Sequence, residues 1–247
     1  MGIIDFVRKI GEKTLYFPGA FTGIEFEEHS LNYQEILGKL GISFVILDLD
    51  LDSGLEKMNM GYRKDAKKTA MKNFILFKKN SISKIITNSP EDFYMFEEIY
   101  PTFVRGWDIK IEYICISILE ALKKRKIRYL GPRETREVVS YQDSCYLARR
   151  CGIMNEPREV IGILGGRIIE IEDNREDVLC CGAGGGVYKN NPNLARGAAL
   201  NRSKGIPEEA SKFICSSSLC YANLKSVNEK PIEFSSFVLG KLRGLGI

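Results

Sequence analysis

Histidine is almost missing from this chain: among 247 residues there is only His29. That excludes a multi-histidine metal site and leaves Ser–His–Asp or Cys–His catalysis a single candidate base. A strong charge of one sign is missing as well. The 36 Lys and Arg against 32 Asp and Glu leave +4, too small a bias for a dedicated nucleic-acid binder. No nucleic-acid partner is expected. No apolar run approaches the ~18 residues of a membrane span, so no direct crossing is expected. The opening MGIIDFVRKIGEK lacks the apolar core and cleavage site of a secretory leader, and a cytoplasmic location is expected. Cysteine is scarce in one part only. Residues 1–144 hold Cys115 alone, and residues 145–247 hold the other six of the seven. Clustered thiols in a reducing compartment bind metal or do redox work more often than they form disulfides.

What is present is alternation. Short β-rich runs stand at 14–17, 43–47, 84–87, 138–141, 167–171 and 212–215. Helix-period segments lie at 26–40, 63–80, 90–100, 114–124, 155–163, 192–205 and 218–227. Strands alternating with helices predict an α/β fold with short, mostly parallel sheets flanked by helices. An internal repeat organises the chain. KIITNSPEDFYMF (84–96) aligns with KFICSSSLCYANL (212–224) at an offset of 128 residues. The same offset carries Asp52-Ser53-Gly54 onto Cys180-Cys181-Gly182, and an offset of 125 carries Ala20 onto Cys145. KIEYICISILEAL (110–122) and KPIEFSSFVLGKL (230–242) are each a short strand followed by an apolar helix. Ordered matches at nearly constant offset predict two pseudo-repeated α/β units, residues 1–131 and 132–247. Only the second has sulfur at the shared positions.

The ordered thiols are Cys145, then CCGAGGG from Cys180, then Cys215 and Cys220. Each lies at or near the end of a predicted strand, where parallel α/β folds gather their functional loops. Three distant segments thus bring Cys145, Cys180, Cys181 and Cys220 toward one place. Four thiolates suit a soft centre, either an iron–sulfur cluster or zinc. Adjacent cysteines fit the several corners of a multi-iron cluster more easily than one zinc ion. Gly182, Gly184, Gly185 and Gly186 lack Cβ atoms, so their backbone can approach a cluster and aim N–H groups at sulfur. The competing reading is a flexible turn with two buried thiols.

Over almost its whole length, by layout in the first half and by specific motifs in the second, the chain resembles the CCG-domain (cysteine-rich domain) proteins, which include the cysteine-rich component of heterodisulfide reductase and related components of glycolate oxidase and anaerobic glycerol-3-phosphate dehydrogenase. That family carries two copies of a pattern: a lone Cys, then Cys-Cys-Gly, then Cys-x-x-Cys. YQDSCYLARRCGIMNEPREV (141–160), LCCGAGGG (179–186) and the helix around Ala195-Arg196 are similar to its second copy. The resemblance implies an iron–sulfur electron-transfer subunit working with other subunits of a redox complex, its electron donor and its flavin or iron–sulfur subunits among them. It also implies departures. The last Cys-x-x-Cys reads Ser217-Ser218-Leu219-Cys220, with Cys215 two residues early as a possible fifth ligand beside Ser217. In the first copy Ala20, Asp52, Ser53, Ser89 and Asp92 stand where cysteines belong. One cluster is therefore expected, 4Fe–4S or non-cubane, held in the C-terminal half. A non-catalytic scaffold subunit and a structural zinc protein are the alternatives.

The remaining candidates have plainer readings. Cys151 is a possible thiol activated by Arg149 and Arg150 or a bystander in a turn. Cys115 is expected in the core and His29 on a solvent-facing helix. LDLDLDSG, with Asp48, Asp50 and Asp52, reads as a solvated acidic loop more readily than as a site for a hard cation. Arg149, Arg150 and Lys189 flank the thiols and are placed to offset an anionic cluster.

Overall fold

A computed structural model describes residues 11–47, 51–129 and 132–247. Two sheets form, and every pairing in them is parallel. The first contains β1 (Lys13–Phe17), β2 (Ile82–Thr87) and β3 (Lys110–Tyr113), in that order. The second contains β4 (Glu137–Gln142), β5 (Gly166–Ile168), β6 (Lys212–Cys215) and β7 (Pro231–Glu233), in the order β5-β4-β6-β7. Ile85 and Ile86 are both fully buried. Adjacent residues on a strand point to opposite faces, so helices cover both sides of the sheet, as parallel sheets require.

The two orders are the same once a remnant is counted. Val45 makes one parallel bridge to Leu15 of β1. It stands where β5 stands beside β4. The expected strand over 43–47 shrinks to that bridge. Its residues are half-buried or exposed and have a neighbour on one side only, too little to hold a longer ladder. The run 167–171 likewise keeps only its first residues in β5. Asp48 and Asp50 lie outside the described residues, as does Gly131 at the expected boundary of the two units.

The helices that matter to the site are α1 (Ala20–Glu25), α2 (Glu27–Lys39), α3 (Leu55–Asn59), α4 (Arg63–Lys79), α5 (Pro90–Tyr94) and α6 (Ile114–Lys124) in the first part. In the second they are α7 (Cys145–Cys151), α8 (Glu156–Ile163), α9 (Pro192–Ser203), α10 (Ser218–Lys225) and α11 (Phe234–Gly244). In α4 the buried residues are Ala66, Ala70, Asn73 and Phe77, one stripe at helical spacing, while its lysines face outward. Packing across the halves is reciprocal: α2 lies against α11, and α8 against α6. These are repeat-equivalent pairs. One apolar core consequently runs through both sheets, from Leu15 and Ile86 to Ile214 and Leu242.

The expected solvent-facing position of His29 is corrected here. His29 is 5% exposed. It stacks on Phe26, with ring centroids 5.1 Å apart, and meets Tyr221 of α10 edge-on at 5.0 Å. Burial lowers its pKa to about 4, so it is a neutral ring in the seam between the halves.

Candidate metal centre

Three segments deliver the thiols. Chain leaving β4 passes Asp143 and Ser144 and enters α7 at Cys145. Asp143 is fixed by Arg158, whose two terminal nitrogens each donate to one carboxylate oxygen at 2.7 Å. It also accepts from the Arg175 backbone N–H at 2.8 Å, which ties the β4 exit to the run leading into Cys180. The Cys180-Cys181-Gly182 turn packs against α9. Gly182 has φ +86, and a Cβ there would meet the Ala198 Cβ at 2.4 Å. Only glycine fits that approach. Gly184, in contrast, has open space around it. Asn223 of α10 locks the turn from below, donating to the carbonyls of Cys181 at 2.6 Å and Ala195 at 2.9 Å.

The third segment follows β6. Cys215 ends the strand, fully buried, with its sulfur 3.7 Å from the Phe213 carbonyl. Ser217 is the N-cap of α10, its hydroxyl accepting from the Cys220 backbone N–H. The structure thus gives Ser217 a local task. In the first half Ser89 does the same for Asp92 at 3.2 Å.

Cys145, Cys180, Cys181 and Cys220 come together. Cys181 and Cys220 have sulfurs 3.0 Å apart, and Cys145 and Cys180 have sulfurs 3.9 Å apart. Cys181 and Cys220 are buried, whereas Cys180 is exposed at the mouth. The thiols stand as two pairs. Among the described residues no three His, Cys, Asp or Glu side chains surround a single point as a closed metal shell. Cys215 shares a buried cluster with Cys181 and Cys220 but belongs to neither sulfur pair.

Protons distribute unevenly over this set. Cys145, Cys181 and the backbone N–H of Gly182, 3.3 Å away, all donate toward the Cys180 sulfur and hold its pKa far below the thiol range. Cys145 is pushed up first by giving that bond and then by burial, and Cys181 by its bonds to Cys180 and Cys220 and then by burial. Burial alone dominates the upward shift of Cys215. Cys151 is not activated: burial and then Glu98, Glu91 and Glu97 push it up to about 12, and Arg150 only partly offsets this. Arg150 instead lies over the rings of Tyr94 and Tyr146, 5.1 and 5.6 Å from their centroids. Arg149 donates to the Val178 carbonyl at 2.9 Å and holds α7 to the segment before Cys180.

The first half takes part in the site. Glu91, on α5, has its pKa raised to about 7 by burial, with Asp92 and Cys180 adding to the shift. Lys189 pairs with Glu56 of α3 at 3.1 Å. Glu91, Asn223 and Arg202 were missed in the sequence. Only Arg202 had a readable signal, because Ala195, Ala199 and Arg202 fall on one helical stripe, the buried one.

At the twin position in the first half the polar groups satisfy one another. Asp52 accepts from the Gly54 N–H at 2.6 Å and pairs with Lys57. Ser53 donates to Asp92. A Cβ on Gly19 would strike an Asp92 oxygen at 2.3 Å. Asp52 and Asp92 are thus already engaged, which disfavours the hard-cation reading.

Residues 139–225 match the model of the CCG family, described as a cysteine-rich domain. The chain is 32% identical over 160 residues to "Probable iron-sulfur-binding oxidoreductase FadF" of Bacillus subtilis, covering 64% of this chain and 22% of that protein. It is 29% identical over 252 residues to one component of the dihydromethanophenazine:CoB–CoM heterodisulfide reductase of Methanosarcina acetivorans, covering 97% of this chain and 61% of the relative. With the "EtfAB:quinone oxidoreductase" of Syntrophomonas wolfei it shares 25% over 189 residues, 74% of this chain and 26% of that one. The chain spans less than two thirds of the length of each of these relatives. No helix among the described residues is long and apolar enough to cross a membrane. The thiol group, its glycine turn and these likenesses agree: the chain carries a CCG-family cysteine-rich domain and is homologous to that heterodisulfide reductase component and to FadF-like iron–sulfur oxidoreductases.

Proposed function

We propose that this chain is an iron–sulfur electron-transfer unit of a larger cytoplasmic redox complex. It holds one cluster, a 4Fe–4S centre, on Cys145, Cys180, Cys181 and Cys220 of the unit formed by residues 132–247. The observation that carries the reading is the meeting of these four thiols, from three distant segments, beyond the ends of parallel strands. Four soft donors suit iron–sulfur chemistry. A buried donor without a partner, the Nη2 of Arg202, also suits an anionic centre.

When bound, such a cluster supplies one-electron storage. This chain's residues do the rest. Cys181 and Cys220 anchor it from the buried side, and Cys145 and Cys180 close the exposed side. The Gly182 N–H, already aimed at the Cys180 sulfur, raises the reduction potential by stabilising charge on sulfur. Arg149 and Asn223 hold the two loops that carry the thiols. Cys215 and Ser217 stand outside the ligand set, one packed in the strand and the other spent as a helix cap. The first unit, without thiols at its twin position, holds no second cluster. The names of the relatives support partner subunits as donor and acceptor.

The test is anaerobic purification followed by reconstitution with iron and sulfide. The expected result is about four iron and four sulfide atoms per chain, with visible absorption that dithionite bleaches. Zinc without sulfide would assign the thiols to a structural site. Neither metal nor sulfide, with an intact partner complex, would leave a scaffold subunit.

A further inference from the structure

Arg202 is among the largest fully buried side chains of the molecule, at 2% exposure. Its Nε donates to the Gln142 side-chain oxygen at 2.7 Å. Its Nη2 is buried with no partner, and among the described residues no carboxylate pairs with the guanidinium. Asp143, in its neighbourhood, is already engaged by both terminal nitrogens of Arg158. Asp173 and Asp143 offset its charge from a distance, but a buried donor with no partner remains costly.

Position says what the missing partner is. Gln142, which holds Arg202, pairs in register with Cys215. The guanidinium therefore lies over the ends of β4 and β6; the charges that act on it are those of Asp173 and Asp143 first, and then the sulfurs of Cys215 and Cys220. Arg202 also lines a cleft of about 240 Å³, together with Lys204, Asn201, Glu172, Asp173 and Leu179. Two carboxylates on that rim oppose an anion there.

We infer that Arg202 is the internal counter-cation of the thiol centre, with its free Nη2 the donor reserved for the anion held on Cys181 and Cys220. This rests on the reading of the site as an iron–sulfur centre. Arg202 is a positioning residue: no bond to it forms or breaks. In a redox titration one electron passes from dithionite to the centre, and the nearby positive charge favours that added electron. Removing the charge therefore lowers the reduction potential.

The test compares the reconstituted wild type with R202K, R202M and K204M by iron and sulfide content and by EPR-monitored redox titration. The expected result for R202M is wild-type cluster content with a reduction equilibrium about tenfold less favourable, a shift of ~59 mV to lower potential for one electron. R202K retains charge and shifts less, and K204M, on the cleft rim, does not shift. Should R202M fail to fold, R202Q carries the comparison, since it can still donate to Gln142. An R202M centre with the wild-type potential would overturn the inference while leaving the cluster in place. So would an R202M potential unchanged alongside Arg202-dependent stabilisation of the apoprotein by sulfate, which would give Arg202 to an anion in the cleft. A wild type that takes up neither iron nor sulfide overturns both readings before any variant is compared.

Discussion

At the scale of single residues, burial and donated hydrogen bonds sort the thiols. Cys180 is exposed and its thiolate is favoured by three donors, whereas Cys115 and Cys215 are buried and held protonated. Thiolate, not thiol, is the nucleophile. Iodoacetamide applied briefly to the metal-free protein at neutral pH is therefore expected to label Cys180 first, read by peptide mass spectrometry. First labelling of Cys115 or Cys215 would contradict this. Cys181→Ser is expected to abolish iron and sulfide uptake, because it removes a buried anchor 3.0 Å from Cys220, while Cys151→Ser leaves uptake unchanged. The spacing of the sequence points to Cys145, Cys180, Cys181 and Cys220 and leaves Cys215 beside them as a further ligand candidate. It had no means of ranking Cys215 against Ser217, because that depends on which side chain a strand end buries and which one caps the next helix.

At the scale of elements, the site depends on how its turns are fastened. Ser217 caps α10 three residues before Cys220. Ser217→Ala is expected to lower stability by about 1 kcal/mol, the usual worth of a lost N-cap, in chemical denaturation. A Ser217→Ala protein as stable as wild type would remove Ser217 from this role. Gly182→Ala combines a left-handed backbone with a clash against Ala198. It is expected to cost about 1–3 kcal/mol and to loosen Cys180 and Cys181 together, seen as weaker cluster retention on gel filtration. The glycine run was visible in the sequence as a close-approach loop. What approaches Gly182 in this molecule is α9. Strands fared by neighbour number: 84–87 and 212–215, each with partners on both sides, appear in full. The 43–47 run, at an edge, survives as one bridge.

At the scale of the whole molecule, the halves share a buried polar seam as well as an apolar core. Tyr33 donates to Glu233 at 2.7 Å, and Tyr113 donates to the Ser216 carbonyl, each across the halves. Burial raises the Glu233 pKa from 4.5 to about 7 despite the bonds from Ser235 and Tyr33. The folded protein thus holds a proton that the unfolded chain releases. The stability this contributes is complete below about pH 4.5 and is lost as pH rises through about 7. Glu91 shifts the same way. Urea midpoints of the apoprotein are expected to fall across that window, and Glu233→Gln to flatten part of the slope. A slope identical in Glu233→Gln and wild type would count against the seam. Tyr113→Phe leaves the Ser216 and Asn88 carbonyls without this donor and is expected to cost about 1–3 kcal/mol.

The sequence by itself determined the alternation of strands and helices, the offset of 128 between two similar stretches, and the crowding of six cysteines after residue 144. These are properties of period and spacing, which survive in one dimension. Only the tertiary structure decided what the two halves do to each other. It placed α5 of the first half, with Glu91, beside the thiols. It buried His29, and it buried Arg202 with one of its nitrogens unpartnered. Those outcomes depend on burial and on charges far apart in the chain, and both are set by reciprocal packing across the seam rather than by any local pattern.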